Sequence, residues 1–257
     1  MELPEIALLF ELADIADAET LPRFRVGGGV DNKLTSSFDP VTEADRAAER
    51  AVVSAIAARY PDHAVLGEEF GAQGNSEHLW VIDPIDGTRA FISGIPVWGT
   101  LIGYSQAGRA RMGLMSQPFT GERYFADGEA AWCEYRGQRS RIGVRPTRRL
   151  DEATLFTTSP RLFSGEGLRR FEELEVRARL TRFGTDCYAY CMLAAGHVDL
   201  VVETGLKPYD IVALVPIIEQ AGGIVTTFTG GRPEAGGDII AAATPELHAA
   251  ALAILHG

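Results

Sequence analysis

A short apolar strand that ends in two closely spaced carboxylates constrains the fold of this chain more than any other segment. The run LWVI leads directly into DPIDGT at residues 83–88. Pro84 fixes one backbone torsion and has no N–H, so the strand is expected to end in a tight turn that brings Asp83 and Asp86 together. Taken alone, the Asp-Pro and Asp-Gly pairs also fit an ordinary surface turn.

Further oxygen donors lie close to this turn in sequence. Glu68 and Glu69 precede it, and the carbonyl of Ile85 lies within it. Carboxylates and carbonyls are the ligands that Mg²⁺ prefers, whereas carboxylates packed together without a cation repel one another and raise their pKa values. Gly87 permits close approach of a ligand, and Thr88 brings a hydroxyl to the start of a short helix, where free N–H groups can bind phosphate.

Two other segments place acids at predicted helix starts. Glu203 ends the apolar run VDLVVE, and Asp210 begins the helix that follows it. Asp210 can cap that helix, ligate an ion, or do both. Thr42 is the predicted N-cap of another helix, in which Asp45 lies at the N-terminal end of the apolar stripe that includes Val52. The Asp45 carboxylate is therefore expected to point inward.

The remaining pattern predicts an α/β chain. Short apolar runs between residues 63 and 125 are typical of successive strands, and strands alternate with helices from about residue 146. We expect a single domain over residues 1–257, with lobes at about 1–145 and 146–257. Predicted helices cover about 3–19, 42–60, 165–174, 186–195, 209–220 and the segment from Thr244, with Pro216 inside one of them and an N-terminal stripe of Ile6, Leu9, Phe10, Ala13 and Ile15.

Charge and composition exclude several classes of protein. The chain has 35 acidic and 24 basic residues, a net charge of −11, so a nucleic acid or an anionic membrane surface would be repelled. No apolar run approaches the roughly 18 residues that span a bilayer, and the acidic N-terminus is unlike a signal peptide. Three cysteines without CxxC spacing fit a reducing compartment and no structural zinc. We expect a cytoplasmic protein.

The motifs together resemble the inositol monophosphatase family of metal-dependent, lithium-sensitive phosphatases. The similar segments are VTEAD, GEE, WVIDPIDGTRAF, GTDCYAYCMLAAGHVDLVVE and YDIVAL followed by EQAGG. Within that family, DGTRAFISGIPVWGTLIGY and ETGLKPYDIVALVPIIEQAGG are similar to the histidinol-phosphate phosphatase branch. Typical inositol phosphatases instead read DGTTNF and carry a Trp-Asp pair at Tyr209-Asp210. The resemblance implies a layered αβαβα sandwich and a homodimer.

The resemblance also implies a metal site and a mechanism. Glu68, Asp83 and the carbonyl of Ile85 would hold one Mg²⁺, and Asp83, Asp86 and Asp210 a second. Glu68 with water could hold a weak third ion, and Mn²⁺ is an alternative metal. A metal-activated water would attack the phosphate monoester.

Further roles follow from the same resemblance. Thr88, with Glu68 nearby, would orient the attacking water, and Asp45 would support Thr88 through a hydrogen bond. The N–H groups of Gly87 and Thr88 would bind the phosphate, and Asp210 belongs to the substrate-binding set as well. Glu69 is an acid adjacent to the ligands. Arg89 is left without a role, as is Lys33, and Gly27–Gly29 is expected to form a hairpin near the site.

Two acids are expected to contact the organic part of the substrate. Asp186 stands where inositol phosphatases have a small residue, although it also fits a helix N-cap, and Glu203 matches a position that contacts the organic portion. Two carboxylates suit histidinol, which carries an ammonium and an imidazole. We therefore expect a Mg²⁺-dependent histidinol-phosphatase of histidine biosynthesis, with an inositol-1-phosphate or broad sugar-phosphate phosphatase as the alternative and a non-catalytic homologue as a third reading.

Overall fold

The apolar runs of the sequence form two sheets that are separated and flanked by helices. The computed structural model describes residues 3–26, 30–32 and 40–256. The helices in that part of the chain are α1 (Ile6–Thr20), α2 (Glu43–Arg59), α3 (Thr88–Ile92), α4 (Gly165–Arg177), α5 (Asp186–Ala194), α6 (Pro208–Ile211), α7 (Leu214–Gln220) and α8 (Pro245–His256). Short 3₁₀ turns cover Leu21–Arg23, Leu150–Glu152 and Pro160–Leu162.

The strands divide between a large first sheet, a smaller second sheet and a short hairpin. They are β1 (Val30–Asn32), β2 (Pro40–Thr42), β3 (Ala64–Gly67), β4 (Gly71–Gln73), β5 (His78–Asp86), β6 (Gly99–Gln106), β7 (Arg109–Gln117), β8 (Glu122–Ala126), β9 (Ala131–Tyr135), β10 (Gln138–Arg141), β11 (Thr154–Thr157), β12 (Leu180–Phe183), β13 (Leu200–Leu206), β14 (Ile224–Thr227) and β15 (Gly237–Ala242). The eight-stranded sheet has the order β10-β9-β8-β7-β6-β5-β3-β4, and only its β3–β5 pair is parallel. The five-stranded sheet has the order β12-β11-β13-β15-β14.

The side chains of each strand alternate between two cores, as the pleat requires. On the first sheet, Ile102 and Leu114 pack under α1 and α2, whereas Leu101 and Met115 face α5 and α7. The second sheet covers the other side of α5 and α7, and its outer face packs on α4 and α8. The order of layers is therefore helices, sheet, helices, sheet, helices, which confirms the predicted αβαβα sandwich.

Two predicted helices differ in detail from the structure. Of the predicted stripe on α1, Leu9 and Ala13 are fully buried, but Ile6, Phe10 and Ile15 are only half-buried. The buried face instead runs through Leu8, Leu9, Leu12, Ala13 and Ala16, because α1 lies against α2 and β5–β7 together. The helix predicted over 165–174 is also longer than expected, since α4 continues to Arg177 and β12 begins only at Leu180.

The predicted helix over 209–220 is interrupted, and Pro216 explains why. Pro216 has no N–H to donate to the carbonyl of Val212, four residues earlier. The chain responds by ending α6 at Ile211 and starting α7 at Leu214. Pro216 then occupies the first turn of α7, where an N–H has no partner within the helix. Of the other sequence predictions, Gly27–Gly29 and Lys33 lie outside the described residues.

Candidate active site

A cavity of about 270 Å³ lies where the end of β5 meets α5, β13 and α6. Nearly all of the predicted site residues line it. They are Glu68, Asp83, Ile85, Asp86, Gly87, Thr88, Asp186, Glu203 and Asp210. Asp45 and Glu69 do not line the cavity. Residues that are more than 100 positions apart in sequence therefore form one site.

The predicted end of the strand before Pro84 is wrong, because β5 continues to Asp86 through an irregular stretch that brings its two carboxylates to the same side. The pairing of β5 with β6 is irregular between Asp83 and Asp86, where Pro84 interrupts the regular register. The N–H of Ile85 donates to Asp83 Oδ1 at 3.0 Å, and the Thr100 hydroxyl donates to the carbonyl of Pro84 at 2.8 Å. These bonds hold the irregular stretch of β5 within the sheet, so the surface-turn alternative is not what the structure shows.

Asp83, Asp86 and Asp210 form a tight group of carboxylates. One oxygen from each lies within 4.8 Å of the others. Burial raises the pKa of Asp83 well above its usual value, and the charges of Glu68, Asp86 and Asp210 act in the same direction. Burial likewise raises the pKa of Asp86, to which Asp186 and Asp210 add. Such a group is stabilised by a cation, and an all-oxygen donor set fits Mg²⁺ or Mn²⁺.

Asp210 both caps a helix and joins this group. It is the third residue of α6, and its Oδ2 accepts the N–H of Lys207 at 2.7 Å. A carboxylate in that position satisfies a free N–H of the first helical turn. The two sequence interpretations of Asp210 are therefore compatible in the structure.

The segment that follows Glu68 is held by a buried acid that the sequence analysis did not single out. Glu49 is fully buried on α2 and accepts the N–H groups of Glu69 and Phe70 at 2.8 and 2.9 Å. Gly67 leaves room for it, because a β-carbon there would lie 1.9 Å from Glu49 Oε1. The sequence contained a signal, since Glu49 follows Asp45 by four residues on the buried face of α2.

The expected hydrogen bond between Asp45 and Thr88 is absent from the structure. Asp45 Oδ2 accepts the N–H and the hydroxyl of Thr42 at 2.8 and 2.5 Å, which completes the predicted cap of α2. Asp45 Oδ1 has no hydrogen-bond partner among the described residues, and burial raises the pKa of Asp45 to about 6. The Thr88 hydroxyl donates instead to the carbonyl of Ile85 at 3.1 Å.

Asp186 lies in the cavity and does not cap α5. The N–H of Cys187 donates to Asp86 Oδ2 at 2.7 Å, so Asp86 satisfies this end of the helix. Asp186 has a φ of 42° and packs against Gly87, where a β-carbon would meet Asp186 Oδ2 at 3.2 Å. Burial raises the pKa of Asp186, although the Thr158 hydroxyl and the charge of Arg89 oppose the shift. The N-cap interpretation of Asp186 is therefore wrong.

Glu203 is held by the last residue of β11 and by the residue that follows it. Only 2% of its surface is exposed, and it accepts the N–H of Thr158 at 2.6 Å and the hydroxyl of Thr157 at 3.3 Å. Burial raises the pKa of Glu203 to about 7, with Asp186 acting in the same direction. The Thr158 hydroxyl lies 3.5 Å from Asp186 Oδ1, so this threonine lies between the two acids.

Six lining residues had no assigned role in the sequence analysis: Arg89, Thr158, Leu162, Cys187, Tyr190 and Leu206. Arg89 was noted without a role, and its charge acts on Asp186. Tyr190 lies in an apolar helix and Thr158 in a short polar loop, so neither carried a signal of its own in the sequence.

Comparison with known proteins identifies the family. The inositol monophosphatase family model matches residues 4–257. The chain belongs to the inositol monophosphatase family. Members of this family are phosphatases and are generally metal-dependent, in agreement with the carboxylate group described above.

Relatives within the inositol monophosphatase family carry several names. A bifunctional phosphatase IMPL2 of Arabidopsis thaliana is 45% identical over 76% of this chain, and the match spans 56% of that protein's length. A histidinol-phosphatase of Streptomyces coelicolor is 37% identical over 96% of this chain and 94% of its own. The structure of an inositol monophosphatase from Zymomonas mobilis is 40% identical and matches with a TM-score of 0.87, covering 98% of this chain and 97% of that chain.

Among residues 3–26, 30–32 and 40–256, no helix is both long enough and apolar enough to cross a bilayer.

Proposed function

We propose that this chain is a Mg²⁺-dependent phosphomonoesterase that hydrolyses L-histidinol phosphate to L-histidinol and phosphate in histidine biosynthesis. The observation that carries the substrate choice is the position of Asp186, which lies in the cavity near Glu203 instead of capping its helix. The buried carboxylate of Glu203 and the half-buried one of Asp186 favour a substrate with a positively charged organic part, because charges removed from water need partners. The proposal includes a cytoplasmic homodimer.

The similarity to a curated histidinol-phosphatase over nearly the full chain supports this substrate. Histidinol carries an ammonium group and a titratable imidazole, whereas inositol is neutral. The carboxylates Asp186 and Glu203 can therefore discriminate between the two phosphate esters by charge.

We propose that the acids close to the end of β5 are the metal ligands. Glu68, Asp83 and the Ile85 carbonyl would hold one Mg²⁺, and Asp86 and Asp210 would join Asp83 around a second. When bound, Mg²⁺ neutralises phosphate charge and lowers the pKa of a coordinated water. The carboxylates that repel one another in its absence become its ligands.

The chain's own groups orient the reaction. The N–H groups of Gly87 and Thr88 would donate to the phosphate oxygens, while Glu68 and the Thr88 hydroxyl direct a water molecule at phosphorus. Asp45 Oδ1 is buried and has no hydrogen-bond partner among the described residues, and it would receive the Thr88 hydroxyl if that hydroxyl rotated away from Ile85. The P–O bond to the histidinol oxygen breaks, and that oxygen takes up a proton as histidinol leaves.

An inositol-1-phosphate or sugar-phosphate phosphatase is the second candidate. The inositol monophosphatase from Zymomonas mobilis matches this chain along nearly its full length, and a relative from Thermotoga maritima is named as a fructose-1,6-bisphosphatase/inositol-1-monophosphatase. Both candidates use the same metal end of the cavity, so only the organic part of the ester separates them.

The test is phosphate release from histidinol phosphate and from inositol-1-phosphate, with Mg²⁺ and with EDTA. We expect a large kcat/KM preference for histidinol phosphate that EDTA abolishes. The Asp186→Ala variant should lower that preference about tenfold or more, since it removes a charged partner, while the exposed control Asp151→Ala should not. Equal or faster turnover of inositol-1-phosphate would overturn the substrate, and no Mg²⁺-dependent release from either ester would overturn the enzyme proposal.

A further inference from the structure

Helix α5 presents one face to the cavity. Asp186 and Tyr190 are four residues apart, and both line the cavity together with Cys187. Residues at this spacing lie on the same side of a helix, one turn apart. The neighbouring Tyr188 points elsewhere, because its hydroxyl donates to Glu122 at 2.7 Å. The cavity side of α5 therefore carries an acid at its first turn and a phenol at its second.

The Tyr190 hydroxyl has no hydrogen-bond partner within the described part of the chain. The residue is 2% exposed, so water in the bulk does not serve it either. A buried hydroxyl without a partner is costly, and tyrosine hydroxyls in protein interiors usually find one. Phenylalanine would fill the same space without that cost. The hydroxyl is therefore better explained by a group that enters the cavity than by packing.

The surroundings of this hydroxyl are acidic. Burial raises the pKa of Tyr190, and the charges of Glu203, Asp86 and Asp210 act in the same direction. Glu203 already accepts hydrogen bonds from the Thr157–Thr158 loop, and Asp86 accepts one from Cys187. The phenol stays neutral, and its oxygen offers lone pairs to a donor. A positively charged donor is favoured in this negative field.

The same surroundings locate the phenol along the substrate. In the proposed function, Asp86 and Asp210 bind metal at the phosphate end of the cavity, whereas Glu203 faces the organic end. Tyr190 lines the same cavity as all three acids, so its hydroxyl would face the carbon next to the phosphate ester. In histidinol phosphate that carbon bears the ammonium, and the imidazole lies one carbon further away.

We propose that Tyr190 is a specificity-determining residue whose phenolic oxygen accepts an N–H from the ammonium group next to the phosphate ester. The inference rests on the proposed function and adds a contact that the two acids do not supply. Asp186 and Glu203 select for positive charge in general. Tyr190 selects for the position of that positive charge, one carbon from the esterified CH₂.

The test compares two esters that differ only by the amine: histidinol phosphate and 3-(imidazol-4-yl)propyl phosphate. Tyr190→Phe removes one oxygen, and Tyr188→Phe is the matched control on the same helix. A hydrogen bond to a charged group predicts that Tyr190→Phe lowers kcat/KM for histidinol phosphate about 10- to 100-fold, mainly through KM. The amine-free ester should change less than about twofold in the same variant, because the lost contact is to the amine.

Stability provides a second readout. Because the hydroxyl has no hydrogen-bond partner among the residues that the structure describes, the Tm of metal-free Tyr190→Phe should equal or exceed that of the wild type. A lower Tm would show that the hydroxyl supports the fold and would overturn the inference. The inference would also be overturned if Tyr190→Phe lowered kcat/KM equally for both esters or for neither. It would be overturned as well if the wild type had the same kcat/KM for the two esters.

The comparison is separate from the test of the proposed function. If the proposed function is wrong, the wild type will turn over inositol-1-phosphate faster than histidinol phosphate. Failure of the Tyr190 inference appears in the ratio between the amine-bearing and amine-free esters, whatever the rate with inositol-1-phosphate.

Discussion

Glu203 shows how burial sets the charge of a residue at this site. The side chain is almost fully enclosed, and its two hydrogen-bond donors, the Thr158 N–H and the Thr157 hydroxyl, come from one loop. Burial disfavours the charged carboxylate more than these bonds favour it, so the pKa of Glu203 rises from 4.5 to about 7. Near neutral pH, this residue is therefore divided between its charged and neutral forms.

The raised pKa predicts a stability that falls with pH. The folded chain holds the Glu203 proton more tightly than the unfolded chain, so the free energy of unfolding decreases as the pH rises from about 4.5 to about 7. In Glu203→Gln the amide keeps an acceptor for Thr158 and does not ionise. We expect the free energy of unfolding, measured with urea in EDTA, to fall between pH 4 and pH 8. The fall should be about 3 kcal/mol larger for the wild type than for this variant. Equal pH dependence in the two proteins would contradict the shift.

At the residue scale, the sequence predicted the acids that follow a strand or begin a helix. Asp210 falls at such a boundary, where cap chemistry is visible in a few neighbouring letters, whereas Asp83 lies inside β5, which continues to Asp86. Tyr190 and Thr158 could not be predicted, because their position depends on how α5 and β11 pack against distant segments. The Asp45–Thr88 bond was expected from resemblance, but Asp45 is held by the cap of its own helix.

At the element scale, two glycines allow the α6–α7 junction to approach the first sheet. Gly103 on β6 and Gly113 on β7 are paired across the strands, and both lie against Ala213. The strands were predicted from their apolar runs, and the break at Ala213 follows from Pro216. The glycines had no visible role in the sequence, because the backbone that they meet is about 100 residues away. This contact places α6, and with it Asp210.

Gly113→Ala tests this placement. A β-carbon there would lie 1.8 Å from the carbonyl oxygen of Ala213, so the α6–α7 junction must move. Overpacking of this kind costs about 1–3 kcal/mol, and displacement of Asp210 should reduce Mg²⁺-dependent phosphatase activity by more than about tenfold. The control is Gly167→Ala on α4, where nothing lies within 4 Å of the added carbon. If Gly113→Ala kept full activity and Tm, the contact would not position Asp210.

At the scale of the whole molecule, the carboxylate group joins the two halves of the chain. Asp83 and Asp86 come from the first sheet, whereas Asp210 follows a strand of the second. Their mutual repulsion acts across the shared helical layer, in a chain that already carries a net charge of −11. A divalent cation held by all three would convert this repulsion into a link between the halves.

The whole molecule should therefore be stabilised by Mg²⁺ through the folded state alone. At a Mg²⁺ concentration about 100-fold above Kd, the expected gain in the free energy of unfolding is about 2.7 kcal/mol, which thermal unfolding detects as a higher Tm.

Asp83→Asn should abolish turnover and reduce this gain in stability. Without metal its Tm should exceed that of the wild type, because the introduced amide carries no charge but can still accept the Ile85 N–H. An equal Mg²⁺ response in both proteins, or an equal response to NaCl of the same ionic strength, would mean that these carboxylates do not bind the ion. A lower metal-free Tm in the variant would instead show that the Asp83 charge supports the fold through the turn that it closes.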